Sequence, residues 1–436
     1  MRIGLVIDYF KPHSVGGAER STRELALALV KRGHEVAILT PNYGAPPEED
    51  DQGARICRYW FPRRVEPGRM ASAFWIKNPL YYAIAGRAIA RTARRFEIEV
   101  LHAQNTFVQV PSYLAARRLR VPCVATLRDL NSLCSVGYLC GVGYDRDHQC
   151  AGSFRRCARE FVARYYPHAG LAFRLPLWAD LLLKHADLLW RQRLLRRYSR
   201  IVFVSHGLKE EYLRHGFSVR PDRLDVVYNI PPDVSASADV GLPPEWDLPP
   251  AAPVVSFVGK LSLGKGAHVL FEAIPRVIER HPEAVFVFAG RPTVQVEAPP
   301  AIPARNIRLL GRIPTEQVHA LLRRSSLLVF PSVSPDALSS AVLEALAFGV
   351  PVVGTNRGGT PEQIVEGENG LLVEPGDPVA LAEGVVALLN DPEALKRMSE
   401  HCRTLLQERF DPGKVVEQML AIYRSAVAEK PRGRRQ

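Results

Sequence analysis

The chain has 436 residues, of which 47% are hydrophobic and 23% charged, the balance of a globular protein with two or three domains. No apolar run approaches the roughly 20 residues that a membrane-spanning helix needs, and the opening MRIGLVIDYF reads as a strand and not as a secretion signal. Membrane-embedded and secreted proteins are therefore disfavoured, and we expect a cytoplasmic protein.

The net charge of +12 is concentrated in the first part of the chain. Residues 1–250 hold 36 Lys and Arg against 25 Asp and Glu, whereas the remaining residues hold 21 against 20. A basic first half and a nearly neutral second half indicate two domains with different partners. The first half suits an anionic surface such as a membrane, a polyphosphate lipid or a nucleic acid.

The chain opens with the order strand, glycine loop, helix, strand. We predict strands at 3–7 and 36–39 and a helix at 18–31, with Gly16-Gly17 in the loop between. Adjacent glycines let backbone N–H groups approach a ligand at the mouth of a helix. The loop matches neither GxGxxG nor the Walker lysine pattern, and such a pair, taken alone, is more often a tight turn.

Two segments combine arginines with aromatic or leucine side chains, namely residues 59–95 and 154–200. We predict amphipathic helices in both. They would form a wall that faces a membrane or an acceptor, or else ordinary solvated helices with one buried side. Charge alone would permit nucleic-acid binding, but no recognition motif is present, so we expect none.

Four cysteines fall in one loop-like segment: Cys134, Cys140, Cys150 and Cys157. Their Cys-x5-Cys-x9-Cys-x6-Cys spacing is looser than the paired Cys-x2-4-Cys of zinc modules. A structural zinc site is therefore the less favoured alternative to free or locally packed thiols.

Polar residues follow two predicted strands of the first domain. His102 comes directly after Val100-Leu101, and Arg128-Asp129 follow a strand at 121–127. Such positions face the ligand crevice of a parallel sheet, although a lone histidine there is more often structural. The sheet is predicted to continue with a strand at 201–204 and to end with one at 226–229.

A proline-rich stretch at 231–253 reads as a linker, after which the alternation of strands and helices restarts. Strands are predicted at 254–258, at 285–289 and near 307–310. In the loop GKLSLGKG, Lys260 and Lys265 stand at a helix start, where cations would neutralise a diphosphate. Solvated surface lysines are the alternative.

The stretch 327–362 reads as strand, loop, helix, strand. The first strand spans 327–330, Ser339 or Ser340 can cap the helix, and Gly349 can end it. Asp336 lies in the loop, and Glu344 lies on the helix. Because helical side chains lean toward the amino end, Glu344 can reach a ligand bound at the helix mouth and accept hydrogen bonds from a ribose diol. A solvated glutamate is the alternative.

The order and spacing of these features resemble the retaining glycosyltransferases of family 4, which have the GT-B fold. The resemblance covers nearly the whole chain and rests on the Gly16-Gly17 loop, KRGHEV, His102, GKLSLGKG, NIRLLGRI, PSVSPDALSSAVLEALAFGVPVV, GGTPE and ENGLLVEPGD. It implies an α/β protein with two Rossmann-like domains whose parallel sheets face a central cleft. The implied units are an acceptor-side domain at 1–230 with a helical insertion at about 134–200, a linker at 231–253, a donor domain at 254–410, a helix at 411–428 returning to the first domain and a basic tail at 429–436.

The resemblance also implies roles for single residues. Asp336 and Glu344 occupy the family's Glu-x7-Glu pair, with the first acid near the donor sugar and the second on the ribose. Lys260, Lys265 and Arg128 would join Asp336 as catalytic residues, and His102 and Asp129 would lie on the acceptor side. The remaining donor-binding positions are Gly16, Gly17, Gly259, Gly290, Arg312, Ile313, Leu338, Ser339 and Ser340.

Two positions depart from the family pattern. Asp336 is one methylene shorter than the usual Glu, and Arg128 stands where His is common. Arg128 could bind a phosphate of the acceptor or of the donor by a bidentate contact. These changes leave open an altered acceptor or an inactive member of the family.

We therefore predict hexosyl transfer, with retention, from a nucleoside diphosphate sugar to a lipid-linked, glycan or small-molecule acceptor. The expected setting is polysaccharide or glycolipid synthesis on the inner face of a membrane, and we expect no cofactor or metal requirement. Alternatives are a non-catalytic nucleotide-sugar or membrane-binding protein of this fold and another enzyme such as a nucleotide-sugar epimerase. The donor base, the sugar, the acceptor and the oligomeric state stay open.

Overall fold

The computed structural model describes residues 1–14, 16–72, 78–136, 153–168, 170–234, 240–292, 299 and 301–429. These residues form two α/β domains, each built on one sheet. A deep cleft separates the two sheets.

The first domain contains eight strands and six helices among the described residues. The strands are β1 (Arg2–Val6), β2 (Glu35–Pro41), β3 (Glu48–Asp51), β4 (Ala54–Tyr59), β5 (Val100–Ala103), β6 (Cys123–Leu127), β7 (Arg200–Phe203) and β8 (Leu224–Val226). The helices are α1 (Gly17–Lys31), α2 (Pro79–Arg95), α3 (Gln109–Leu119), α4 (Phe154–Tyr165), α5 (Leu171–Leu195) and α6 (His206–Arg214). The strand order is β3-β4-β2-β1-β5-β6-β7-β8, with β3 antiparallel to β4 and all other neighbours parallel.

The second domain has a wholly parallel sheet. Its strands are β9 (Val254–Val258), β10 (Val285–Ala289), β11 (Ile307–Gly311), β12 (Leu327–Phe330), β13 (Val352–Thr355) and β14 (Gly370–Val373). Its helices are α7 (Ala267–Ile278), α8 (Thr315–Arg324), α9 (Ser340–Phe348), α10 (Pro378–Leu389) and α11 (Pro392–Arg409). The strand order β11-β10-β9-β12-β13-β14 places β9 and β12, which carry the two loops of interest, side by side.

The central strands of each sheet are largely apolar because both faces of the sheet are covered there. In β12, Leu327 and Val329 pack into one core, and Leu328 and Phe330 pack into the core on the opposite face. A parallel sheet with helices on both faces requires continuous apolar runs in its strands. Such runs are visible in the sequence, and this is why the predicted positions of these strands agree with the structure.

The last helix, α12 (Pro412–Ala428), returns to the first domain. Val416, Leu420 and Tyr423 share a core with Ile3 and Leu5 of β1. The domains are therefore connected twice, once through the linker and once through the turn between α11 and α12. The described part of the linker contains a single short 3-10 turn at Pro244–Trp246.

Several predicted elements agree with the structure to the residue, including the strands 254–258, 285–289 and 327–330. The Ser339 hydroxyl accepts a hydrogen bond from the Val342 amide at 3.4 Å, and Gly349 ends α9 with φ 71°. The predicted strand at 226–229 is wrong, because β8 ends at Val226 and the next residues turn toward the cleft. The β3–β4 hairpin was not predicted, because EEDD has no apolar alternation.

Candidate functional site

A cavity of about 1050 Å³ lies between the carboxyl ends of the two sheets. Ligand crevices of open parallel sheets occur at this edge, and the size suits a ligand as large as a nucleotide sugar. The residues predicted for the site that line the cavity are Gly16, Gly17, Arg128, Asp129, Gly259, Lys265, Gly290, Arg312, Ile313, Asp336, Leu338, Ser339, Ser340 and Glu344.

Lys265 and Asp336 form an ion pair on the wall that the second domain contributes. The Lys265 Nζ also lies 5.0 Å from the centroid of the Phe330 ring. The preceding loop is tied to the loop after β12, since the amides of Val333 and Ser334 both donate to the Gly264 carbonyl at 3.0 Å. The two loops thus hold a cation and a carboxylate together beside the open cleft.

Glycine is needed where the Lys265 loop enters helix α7. Gly266 has φ 71°, and a Cβ there would lie 1.7 Å from the carbonyl oxygen of Pro331. No side chain can be accommodated without moving backbone. The approach of the two loops therefore depends on this residue and sets the position of Lys265.

The mouth of α9 opens into the cleft beside this ion pair. Ser339 caps the helix, and the Gln363 side chain holds its backbone in place. The Gln363 Oε1 accepts a hydrogen bond from the Ser339 N–H at 2.9 Å, and the Gln363 Nε2 donates to the Ser339 carbonyl at 2.8 Å. A Cβ on Gly17 would lie 3.0 Å from the Ser340 Oγ, so the glycine loop of the first domain closely approaches this mouth. Backbone N–H groups and the positive end of the helix favour an anion there.

Glu344 lies deeper on the same helix, 4% exposed, in an ion pair with Arg20 of α1. Arg20 also donates to the Thr315 hydroxyl at 2.9 Å, so one side chain links the first domain to two helices of the second. Burial raises the pKa of Glu344, and Arg20 opposes that rise. Arg20 was not predicted, and nothing in its sequence context indicated a contact 324 residues away.

The nearby His319 does not add a charge to this pair. Its Nε2 lies 3.8 Å from a Glu344 oxygen, but burial lowers the pKa of the imidazole to about 4. The ring is therefore neutral near pH 7, and the ionic partner of Glu344 is Arg20.

Arg128, Asp129 and Asp8 line the cleft on the side of the first domain, here called its floor. The Arg128 guanidinium donates to the Gln104 carbonyl at 3.0 Å, to the Gln104 side chain at 2.7 Å and to the Asn229 side chain. Burial lowers the pKa of Arg128 to about 10, which leaves it cationic near neutral pH. Asp129 beside it accepts from the Thr106 hydroxyl at 3.0 Å and from the Asn131 amide at 2.8 Å.

Two acids that the sequence reasoning missed accompany Arg128. Asp8 follows β1, is 5% exposed and accepts a hydrogen bond from Asn105. Burial, and to a smaller extent the charge of Glu19, raise the pKa of Asp8 to about 7. Glu19 is 4% exposed and accepts from the Gly16 amide at 3.0 Å. The sequence did contain an indication of Asp8, because an acidic residue directly follows the first predicted strand and precedes the glycine loop.

Two predicted site residues do not line the cleft. His102 is fully buried, with Nδ1 2.6 Å from the Tyr423 hydroxyl and Nε2 2.7 Å from the Thr126 hydroxyl. Burial, with the Arg128 charge, lowers its pKa to about 3, so it is a neutral core residue that helps to fix α12 and not an acceptor-side group. Lys260 is exposed outside the cleft, because the loop directs only Lys265 inward.

The cysteine segment is only partly described. Cys134 and Cys157 are half-buried, and Cys140 and Cys150 lie outside the described residues. In the described ranges, no group of three or more His, Cys, Asp or Glu side chains could hold a metal ion.

Two protein-family models match the chain. The family described as Glycosyltransferase Family 4 matches residues 15–230, and the family described as Glycosyl transferases group 1 matches residues 242–404. The first match contains the glycine loop and Arg128, and the second contains Lys265, Asp336 and Glu344.

Individual proteins show the same similarity. "Spore coat protein SA" of Bacillus subtilis is 30% identical over 181 residues, which are 39% of this chain and 48% of that relative, so the matched part spans about half of its length. A glycogen synthase of Mycobacterium tuberculosis is 26% identical over 458 residues, covering 100% of this chain and 96% of the relative.

Solved structures extend the comparison to the fold. The catalytic domain of starch synthase IV from Arabidopsis thaliana, bound to ADP and acarbose, superposes with a TM-score of 0.66 at 14% identity, over 98% of this chain and 99% of that one. The likeness confirms the predicted fold, in which two Rossmann-like domains face a central cleft.

Proposed function

The chain belongs to glycosyltransferase family 4 and has the GT-B fold, and from this premise we propose that it transfers a sugar from a nucleoside diphosphate donor to an acceptor with retention of anomeric configuration. The observation that carries the proposal is the grouping of Lys265, Asp336 and the mouth of α9 in one cleft, with the Glu344 carboxylate behind them. A cation and a helix mouth suit a diphosphate, and a buried carboxylate suits a ribose diol.

The chemistry we propose is mainly electrostatic. The bond between the anomeric carbon and the diphosphate oxygen breaks, and the leaving diphosphate keeps the electron pair. Lys265 and the N–H groups at the mouth of α9 would stabilise that charge as it develops. The acceptor oxygen then bonds to the anomeric carbon on the face that the diphosphate leaves, and its proton passes to a departing phosphate oxygen.

Binding of the donor would separate the ion pair between Arg20 and Glu344, which lies behind the mouth of α9. A ribose that hydrogen-bonds to Glu344 competes with Arg20 for the same carboxylate oxygens. Released from Glu344, Arg20 would remain at the cleft and could pair with the diphosphate. The loops of the two domains already approach each other at Gly17 and Ser340, so a small closure would exclude water from the reacting sugar.

Arg128 and Asp8 would face the acceptor from the floor of the first domain. The position often held by His is here a fixed guanidinium, which favours an acceptor or donor that carries a negative charge. We therefore propose that the acceptor carries an anionic group near the hydroxyl that receives the sugar.

We also propose that the α4–α5 hairpin rests on an anionic membrane from which a lipid-linked acceptor is taken. Helix α5 exposes Leu175, Leu182, Leu183 and Leu189, which recur at roughly helical spacing. The exposed arginines on α4 and α5 include Arg155, Arg156, Arg159, Arg174 and Arg193. Apolar side chains rimmed by cations are typical of interfacial helices. Within the described ranges, no helix is both long and apolar enough to span a bilayer.

Flotation with anionic vesicles tests the membrane part. Wild-type protein should float at low salt and be released at high salt, and Leu182→Gln/Leu183→Gln should float much less. Leu309→Gln, which alters an exposed leucine of the donor domain, should behave as wild type. If the wild type does not float at low salt, the proposal of membrane docking is wrong, and the proposal of sugar transfer is unaffected.

Donor turnover tests the transferase part. A thermal-shift panel of UDP, GDP, ADP and their sugars should identify one base that raises the midpoint by mass action. The matching sugar donor should then be turned over by wild type, and the Asp336→Asn and Lys265→Ala variants should be nearly inactive. Binding without turnover over a broad acceptor panel would favour a non-catalytic protein, and an epimerised nucleotide sugar formed without an acceptor would favour an epimerase.

A further inference from the structure

A second cavity, of about 580 Å³, lies at the amino ends of β6 and β7, the edge of the sheet opposite the cleft. Five arginines line it, against two acids, from α3, the turn after α5, the turn before β8 and the end of α12. We propose that this arginine pocket binds a small molecule with two or more phosphate groups. The proposal is independent of the transfer reaction. The lining charged residues are Arg117, Arg120, Arg197, Arg220, Arg223, Asp222 and Glu429.

Both acids of the arginine pocket are already paired. Asp222 accepts two hydrogen bonds from Arg220, at 3.0 and 2.6 Å, and Glu429 pairs with Arg200 at 2.5 Å. In the part of the chain that the structure describes, no acidic oxygen lies within 4.0 Å of the four remaining guanidinium groups, which are Arg117, Arg120, Arg197 and Arg223. Four cations without an ion-pair partner among the described residues line one cavity, and each offers a planar fork that matches phosphate oxygens.

The backbone at Arg120 gives independent support. This residue ends α3 in the left-handed conformation, with φ 58°, a position where Gly or Asn is usual. An arginine there carries a conformational cost that a glycine would avoid. An unfavourable backbone that presents a cation to a cavity is typical of a binding site.

The dipole of α3 explains only part of this charge. Basic residues in the last turn of a helix are favourable in general, and Arg117 and Arg118 both occupy that turn. Arg118, however, does not line the cavity, and Arg197 and Arg223 belong to other elements. The dipole accounts for arginines at the end of one helix but not for their convergence from separate elements.

The size and walls of the arginine pocket suit a small ligand. Ligand cavities usually measure about 300–1,000 Å³. Tyr113 and Tyr198 form one wall, with ring centroids 5.7 Å apart and planes at 27°. The chain beyond Glu429 contains four basic residues and no acidic one, so it offers no charge that would complement the pocket.

Isothermal titration with sodium tripolyphosphate at 150 mM salt tests the proposal. The full chain with Lys265→Ala is used so that anion binding in the cleft is weakened. We expect Arg117→Gln/Arg197→Gln to weaken binding at least tenfold, and Arg118→Gln/Arg196→Gln to stay within about twofold. The second pair removes the same charge from neighbouring exposed positions that do not line the cavity.

Equal weakening by both pairs would show diffuse charge attraction and overturn the proposal, as would the absence of binding. If binding depends on the first pair, flotation with vesicles containing phosphatidylinositol 4,5-bisphosphate identifies the source of the phosphates, with every variant built on Leu182→Gln/Leu183→Gln so that α5 does not hold the protein on the vesicles. In this background, flotation lost only in the first pair assigns the phosphates to a lipid headgroup, and flotation that is absent, or unchanged by the first pair, assigns them to a soluble molecule.

Discussion

The two walls of the cleft are built in different ways. On the wall of the second domain, Lys265, Asp336 and Glu344 come from two short loop–helix segments that follow the adjacent strands β9 and β12. On the floor of the first domain, Asp8 and Arg128 and their partners come from residues as far apart as Asp8 and Asn229. The wall of the second domain is thus built from local segments, whereas the floor of the first domain depends on which distant strand ends the fold brings together.

The largest expected effect concerns the wall of the second domain. Lys265→Ala should lower kcat/KM by about 10²- to 10³-fold, because a preorganised cation would no longer stabilise the leaving diphosphate. Lys260→Ala should lower it only a few fold, since that side chain lies outside the cleft. Steady-state release of nucleoside diphosphate measures both. Equal losses in the two variants would contradict the geometry of the loop.

The next effect concerns the floor of the first domain. Because the pKa of Asp8 is raised to about 7, the folded chain holds a proton that the unfolded chain releases near pH 4. The free energy of unfolding should therefore fall as pH rises from 5 to 7, by roughly 2 to 3 kcal/mol. Asp8→Asn should remove that slope in urea titrations. An unchanged slope in Asp8→Asn would show that Asp8 ionises normally.

A smaller effect is expected for the contact between the two domains, the ion pair of Arg20 with Glu344. Arg20→Met leaves the buried Glu344 without its cation and should lower the free energy of unfolding by about 1 to 3 kcal/mol. Once Glu344→Gln is present, adding Arg20→Met should cost much less, because the lost interaction is shared. The four proteins of this cycle are compared by urea denaturation. Additive losses would contradict the direct contact between Arg20 and Glu344.

The smallest expected effect is that of a chelator. The charge-stabilising groups we propose are Lys265 and a helix mouth, so EDTA should change turnover by less than about twofold if these groups carry the stabilisation that a metal would supply. Loss of activity with EDTA, restored by Mg²⁺ or Mn²⁺, would overturn this. The chain contains one Asp-x-Asp sequence, Asp145-Arg146-Asp147, outside the described residues, and it would then be the first place to examine.

The contrast between the walls also explains how much could be predicted. Strands buried on both faces have continuous apolar runs, and the loops that follow them are short, so local patterns predict the second domain and the loop containing Lys265. The same holds for Ser339 and Gly349, whose capping roles depend only on neighbouring residues.

Long-range contacts could not be predicted in this way. Arg20 and Asn229 acquire their roles through Glu344 and Arg128, and no local periodicity encodes those pairs. His102 was misplaced for the same reason. His102 lies within β5, which continues to Ala103, and α12 packs against this part of the sheet, so the imidazole bonds to the Tyr423 hydroxyl and belongs to the core.

The most direct test of sugar transfer in the cleft is a proton NMR time course with the donor selected by the thermal-shift panel and an accepted acceptor. The expected result is a product whose anomeric proton shows the same configuration as the donor, formed by wild type and not by Asp336→Asn. A product of opposite configuration, or equal turnover by Asp336→Asn, would contradict the mechanism proposed for this cleft.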